Sequence, residues 1–186
     1  METKLNKKIV FTIFLLVVIA FGSFSVCYAT ARWYTYHVMD RWSVDSGKHL
    51  DWDGSTKYQS NFNLGVSVWN NYKSGVIRED SLSTVQDTTI GDIEYITGGA
   101  IASTDQSGPG KALISNITFS TSKMDKLSTT LKNVCCTHEL GHVLGLGENP
   151  DYTNAIMYPY AETNTSNNVL HTDDKVNYDY MYNNKY

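Results

Sequence analysis

The sequence HELGHVLGLGEN, from His138 to Asn149, restricts the possible folds of this chain more than any other stretch. His138 and His142 are four residues apart, so on a helix both imidazoles lie on one face and can bind one metal ion. Neutral imidazole suits zinc, and a catalytic zinc site combines three protein ligands with one open position. Glu139 lies one helical step away, where its carboxylate can act as a general base. The stretch therefore predicts a zinc site built on a helix.

The prediction of a third metal ligand depends on Gly145 and Glu148. A glycine three residues after His142 allows the helix to end and the chain to turn back toward the metal. Glu148 then comes to the third position, and two histidines with one Glu form a known catalytic zinc set. If Glu148 is instead a solvated loop residue, the third ligand is Asp151 or His171, or there is none.

The stretch HELGHVLGL, followed by Ile156-Met157-Tyr158-Pro159, resembles the metzincin zinc peptidases and, within them, the matrixins. The resemblance implies a zinc-dependent endopeptidase, and so a hydrolase with protein or peptide substrates. It also implies an α+β fold: a single metzincin-like domain with a mixed twisted sheet, two long helices, a methionine turn and a C-terminal helix. Met157 is expected to form the hydrophobic base beneath the metal. Relatives usually have histidine where this chain has Glu148.

Weaker similarities extend over most of residues 31–182. Residues 91–95 resemble the third strand of the family, residues 110–119 its substrate-pairing edge strand, and residues 170–182 its C-terminal helix. Thr118 stands where animal matrixins have a histidine that binds a structural zinc, so no second zinc of that kind is expected. Almost nothing separates the N-terminal apolar segment from the first strand, so the cysteine-bearing pro-segment of animal matrixins is not expected. Structural Ca²⁺ is possible, but no motif supports it.

The remaining pattern predicts the order of the elements. Residues 31–42 are rich in aromatic and β-branched side chains and predict a first strand, and a turn-rich stretch follows at residues 45–56. Phe62, Val66 and Trp69 have helical spacing, with Gly75 as the stop. Short strands are expected between residues 76 and 119, and a long helix within residues 126–147. A final helix is predicted to be capped by Thr172, with Val176 and Tyr180 one turn apart on it.

The N-terminus has the pattern of a secretory signal peptide. Three lysines precede an apolar run, and Ala-Thr-Ala follows at residues 29–31. We therefore predict a signal peptide at residues 1–29, a catalytic domain at residues 30–186, and a secreted, extracellular bacterial protein. The alternative is an uncleaved signal anchor formed by residues 9–29, in which case the protein is bound to a membrane.

Charge and cysteine content exclude some partners. Without residues 1–29 the chain has 12 basic and 18 acidic side chains, which disfavours nucleic acid as a partner. A monomer is expected. Cys135 and Cys136 are adjacent, so a disulfide between them on a helix is not expected. Cys135 lies one turn before His138 and could offer a thiolate, but a small buried side chain is the favoured interpretation.

A non-catalytic binding protein on a metzincin fold, secreted or membrane-anchored, is the alternative function. Glu139 distinguishes the two hypotheses, because a protein without catalysis has no use for a general base.

Overall fold

The computed structural model describes residues 36–81, 86–107, 110–112 and 114–186. The chain divides into two units, Met1–Tyr34 and Thr35–Tyr186, and only the second is described here. The predicted signal peptide and its cleavage site lie outside the described residues. None of the helices in these ranges combines the length and the apolar character that a membrane span requires.

Within the part of the chain that the structure describes, seven strands and four helices follow one another in an α+β arrangement. Their bounds are β1 Arg41–Trp42, β2 Leu50–Gly54, α1 Gln59–Tyr72, β3 Ile77–Glu79, β4 Thr88–Ile93, β5 Ala102–Gln106, β6 Gly110–Lys111, β7 Ser115–Ser120, α2 Thr121–Met124, α3 Thr129–Val143 and α4 Thr172–Asn184. A short 3-10 helix, Ala161–Thr163, precedes α4. This architecture confirms the predicted fold class.

The main sheet is mixed and has the strand order β3-β2-β4-β7-β5. Four strands run parallel, and β5 pairs antiparallel with β7 at one end. The predicted edge strand at residues 110–119 was therefore wrong: β7 lies inside the sheet and β5 forms its edge. The strand predicted at residues 91–95 is β4, and it begins earlier, at Thr88.

The first strand lies within the predicted residues 31–42, but it is shorter than predicted and does not belong to the main sheet. Val38 bridges to Leu146, and β1 pairs with β6 in a separate two-stranded sheet. The main sheet instead begins with β2, which lies in the stretch predicted to be turns. Leu50, Asp51 and Trp52 are all buried, as in a parallel strand covered on both faces. The buried Asp51 carboxylate accepts two hydrogen bonds from Arg78 on β3, at 2.8 and 2.7 Å.

Helix α1 packs closely on helix α3. Phe62 and Trp69 are fully buried, which confirms the predicted helical face, although Val66 is only partly buried. Gly65 allows the close approach, because a Cβ there would lie 3.0 Å from the Thr137 hydroxyl. The Trp69 indole N–H donates to the Thr137 carbonyl at 2.8 Å, so α1 supports the middle of α3.

Helix α4 begins differently from the prediction. His171, and not Thr172, is the N-cap, and its side chain accepts a hydrogen bond from the Asp173 amide. The buried side of α4 includes Asp174, Tyr178 and Met181, whereas Val176 and Tyr180 are only partly buried. The Val176/Tyr180 pair was therefore the wrong guide to the buried face, which is largely polar and aromatic.

Candidate metal centre

Helix α3 presents the two predicted histidines to a cleft. The helix begins after Ser128, whose hydroxyl accepts a hydrogen bond from the Leu131 amide at 3.3 Å and so caps it. His138 and His142 lie one turn apart on the cleft side, with 12% and 14% of their side chains exposed. Most other residues of this part of the helix are buried. The imidazoles are thus held by a well-packed helix.

Gly145 ends this helix by a Schellman turn, as the sequence predicted. Its φ is +85°, a left-handed conformation that favours glycine. The Gly145 amide donates to the His142 carbonyl at 2.8 Å, and the Leu146 amide donates to the Gly141 carbonyl at 2.9 Å. The turn brings the Leu146 carbonyl back to the helix, where it contacts the His142 ring.

Both imidazoles are oriented by backbone carbonyls. His138 Nδ1 lies 2.9 Å from the Ile156 carbonyl oxygen, and His142 Nδ1 lies 2.9 Å from that of Leu146. A carbonyl only accepts, so each Nδ1 carries the hydrogen. The Nε2 atom of each ring is then the position that binds a proton or a metal ion. Such outer-shell hydrogen bonds are typical of metal-binding histidines.

Glu148 completes a group of three. One carboxylate oxygen lies 3.5 Å from His138 Nε2, and the other lies 3.5 Å from His142 Nε2. The three candidate ligand atoms are within 4.8 Å of one another. Two imidazole nitrogens and one carboxylate oxygen are the donors of a catalytic zinc site, so the residues present fit the zinc that the sequence implies. Glu148 is 48% exposed, unlike the two histidines.

The pKa values of the group reflect the attraction among its members. Burial lowers the pKa of His138, but the hydrogen bond with Glu148 and the charge of Glu139 outweigh it and raise this pKa to about 9. Burial raises the pKa of Glu148, but hydrogen bonds from His138 and His142 hold it at about 2. The point between the three side chains is therefore one where positive charge is stabilised.

Met157 lies in a buried turn directly beneath the helix. A Cβ at Gly141 would lie only 2.3 Å from the Met157 sulfur, so the glycine of HELGH makes room for the methionine. The turn is held by Asp174, which accepts hydrogen bonds from the amides of Ile156 at 2.8 Å and Met157 at 3.2 Å. Since the Ile156 carbonyl contacts His138, the methionine turn links helix α4 to the candidate ligand.

Glu139 faces the same cleft, whose volume is about 660 Å³. Only 6% of the residue is exposed. Its carboxylate oxygen Oε2 accepts a hydrogen bond from the Thr104 hydroxyl, on the edge strand β5, at 2.6 Å. The edge strand, helix α3 and the segment around Tyr158 and Tyr160 form the walls of the cleft.

The residues predicted as alternative metal ligands make other contacts. Asp151 pairs with His37 at 3.3 Å, and His171 caps helix α4 and stacks on Tyr152. Cys135 is buried with a free thiol, and burial raises its pKa well above the usual value. A high thiol pKa opposes formation of the thiolate that binds zinc. None of these residues belongs to the group formed by His138, His142 and Glu148.

A second group of possible metal ligands consists of three aspartates, two of which form ion pairs with basic side chains. Asp45, Asp51 and Asp87 lie close enough to share a cation. However, Arg78 already binds Asp51, and Lys111 binds Asp87 at 2.9 Å. This group gives no support to a calcium site.

Thr104 and Asp174 were not identified as site residues from the sequence. Thr104 meets Glu139 across 35 positions of the chain, and Asp174 meets Ile156 across 18. The paired aspartates of the last helix were a usable signal for Asp174. For Thr104 the sequence carried no signal, because the edge strand that pairs with substrate was expected at residues 110–119.

Comparison with known proteins places the chain in a family. The sequence matches the matrixin peptidase family over residues 36–183, which include all of the candidate metal centre. A search of curated proteins finds no significant match. Among solved structures, the chain is similar to archaemetzincin from Methanopyrus kandleri, with 16% sequence identity and a TM-score of 0.49, covering 75% of this chain and 99% of that one. The family match spans most of the chain, and we conclude that the protein is a member of the matrixin family and therefore a zinc metallopeptidase.

Proposed function

We propose that the protein is a secreted zinc endopeptidase in which His138, His142 and Glu148 hold the metal and Glu139 is the general base. One observation carries the ligand assignment. Both histidines donate through Nδ1 to backbone carbonyls, and both direct Nε2 to the Glu148 carboxylate. Zinc in such a site acts as a Lewis acid, which polarises a carbonyl group and makes water acidic enough to lose a proton near neutral pH.

Glu139 supplies the proton transfers. Its carboxylate lines the cleft beside the candidate ligands but does not belong to the metal-binding group. It can accept a proton from the attacking water and return it to the amine of the leaving peptide. A buried, cleft-facing carboxylate at this position supports catalysis over the non-catalytic binding alternative, because a binding role does not need it.

Strand β5 provides the surface for the substrate backbone. It is the last strand of its sheet, and its residues Ala102, Ser103 and Thr104 line the cleft. An extended peptide can add to such an edge through main-chain hydrogen bonds. Arg41 binds the Gln106 carbonyl at 2.9 Å, which closes the edge at its C-terminal end. Binding of an extended peptide through its backbone, and not through its termini, supports cleavage of internal peptide bonds.

The test is cleavage of a proteome-derived peptide library, with products mapped by mass spectrometry. The wild-type protein with zinc is expected to cleave internal bonds. Glu139→Gln is expected to retain zinc and lose cleavage, because only the base is removed. If Glu139→Gln cleaves as fast as the wild type, the proposed role of Glu139 is wrong.

Secretion is proposed from the N-terminal pattern alone. Expression of the full chain in a Gram-positive host, followed by N-terminal sequencing of the protein in the medium, tests it. Release of a chain beginning near residue 30 or 32 is expected. Retention of the full-length chain in the membrane fraction would favour the anchored alternative.

A further inference from the structure

We propose that Thr104 is a positioning residue that holds the general base Glu139 in its reactive orientation. The inference rests on the proposed function, because it assigns a partner to the base of that reaction. It is carried by one contact, the 2.6 Å hydrogen bond from the Thr104 hydroxyl to Glu139 Oε2.

The geometry identifies which oxygen of Glu139 accepts the hydrogen bond that the Thr104 hydroxyl donates. Thr104 Oγ1 lies 2.6 Å from Glu139 Oε2 and 3.3 Å from the Glu139 backbone carbonyl. A hydroxyl has one hydrogen to donate, and 2.6 Å is the length expected when a hydroxyl donates to an ionised carboxylate. Thr104 therefore binds the carboxylate rather than the backbone.

The surroundings of Glu139 give this one bond importance. Glu139 is 6% exposed. Among the described residues, Thr104 has the side chain that donates a hydrogen bond to the Glu139 carboxylate. A buried carboxylate needs hydrogen-bond donors, and a side chain with several rotatable bonds needs a contact that selects one rotamer. The bond fixes Oε2 toward the strand, so that the second oxygen, Oε1, is the atom that accepts the proton.

The position of Thr104 connects this role to substrate binding. Thr104 belongs to β5, the strand proposed to pair with the peptide, and it lies opposite Ile117 of β7. The same rigid strand would thus place both the scissile bond and the base. Small errors in such placement are costly in rate, because the reacting atoms must meet in one geometry.

The experiment measures kcat and KM on a quenched peptide that the wild type cleaves. Thr104→Val keeps the shape and removes the hydroxyl. It is expected to lower kcat roughly 10- to 100-fold, the range for loss of a hydrogen bond to a charged group, with KM changed less than about 2-fold. Thr104→Ser restores the hydroxyl and is expected to recover most of kcat. Thr89→Val, which removes a hydroxyl from β4 in the same sheet, is the matched control and is expected to match the wild type.

A double-mutant cycle separates positioning from general structural damage. If Thr104 acts through Glu139, adding Thr104→Val to Glu139→Gln causes less than about a 2-fold further loss in residual cleavage, measured with excess enzyme. Zinc content and zinc affinity of Thr104→Val are expected to equal those of the wild type. An equal loss of kcat in both backgrounds, a failure of Thr104→Ser to recover activity, or a fall in zinc affinity would overturn the inference.

Failure of the Thr104 inference and failure of the proposed function give different experimental results. If wild type and Glu139→Gln behave as proposed while Thr104→Val keeps the wild-type kcat, only the inference on Thr104 is wrong. If the zinc-loaded wild type cleaves no peptide, the proposed function fails and the inference fails with it.

Discussion

The sulfur of Met157 lies against the backbone of Gly141, so closely that a Cβ at Gly141 would be 2.3 Å from it. Both residues are buried, and the same added Cβ would lie 3.2 Å from the Trp69 ring. The contact fixes the distance between helix α3 and the methionine turn, and with it the Ile156 carbonyl that orients His138.

Gly141→Ala is expected to destabilise the protein. Alanine favours a helix over glycine by about 1 kcal/mol, but overpacking of a filled core costs about 1–3 kcal/mol, so a net loss of up to about 2 kcal/mol is expected. Urea denaturation measures it. Gly91→Ala is the control, because a Cβ there meets nothing within 4 Å. Equal stability of the two variants would contradict the packing described here.

A pH-dependent contribution to the free energy of unfolding is expected at Asp125, which follows helix α2 directly and contacts the two residues before helix α1. Asp125 accepts hydrogen bonds from Lys57 at 2.8 Å and from the Tyr58 hydroxyl at 2.9 Å, and these bonds lower the pKa of Asp125 below its usual 3.8. A carboxyl with a lowered pKa stabilises the fold above the unfolded-state pKa, and this stabilisation is lost as the pH falls through the folded-state pKa.

The measurement compares the free energy of unfolding of wild type and Asp125→Asn from pH 7 down to pH 2. The wild type is expected to be more stable at neutral pH, and the difference is expected to shrink below about pH 4. A difference that stays constant over this range would show that the charge of Asp125 has no part in it.

Added calcium is expected to leave the melting temperature unchanged. The acidic group Asp45, Asp51 and Asp87 resembles an oxygen-rich cation site, but Arg78 and Lys111 already neutralise two of its carboxylates. Differential scanning calorimetry of the zinc-loaded protein, with and without calcium, checks this. A melting temperature that rises with calcium concentration would indicate a bound cation, because ligands of the native state stabilise it by mass action.

The sequence predicted the parts of the fold whose signals are local. Helix α1 followed from Phe62 and Trp69, and helix α3 with its Gly145 turn followed from helical spacing and a glycine stop. The family resemblance supplied the methionine turn and the fold class. The group formed by His138, His142 and Glu148 was also predicted as candidate ligands, because each residue belongs to one short motif.

The errors share a physical cause, which is pairing between distant segments. The aspartates and the glycine of LDWDG predict turns, yet Asp51 is buried in β2 through its ion pair with Arg78 of β3. Strand β5, ASTDQ, has no apolar alternation, and it is a strand because β7 pairs with it. The Thr104 contact could not be predicted once the edge of the sheet was assigned to residues 110–119.

Zinc binding tests the central claim most directly, namely that His138, His142 and Glu148 form the metal centre. Zinc stoichiometry by elemental analysis, with affinity measured by competition against a chromogenic chelator, is compared for wild type, Glu148→Ala and His171→Ala. The account predicts one zinc per wild-type chain and unchanged zinc affinity in His171→Ala. In Glu148→Ala it predicts a loss larger than the roughly 10- to 100-fold typical of outer-shell changes. A wild-type protein without stoichiometric zinc, or a Glu148→Ala variant with wild-type affinity, would contradict it.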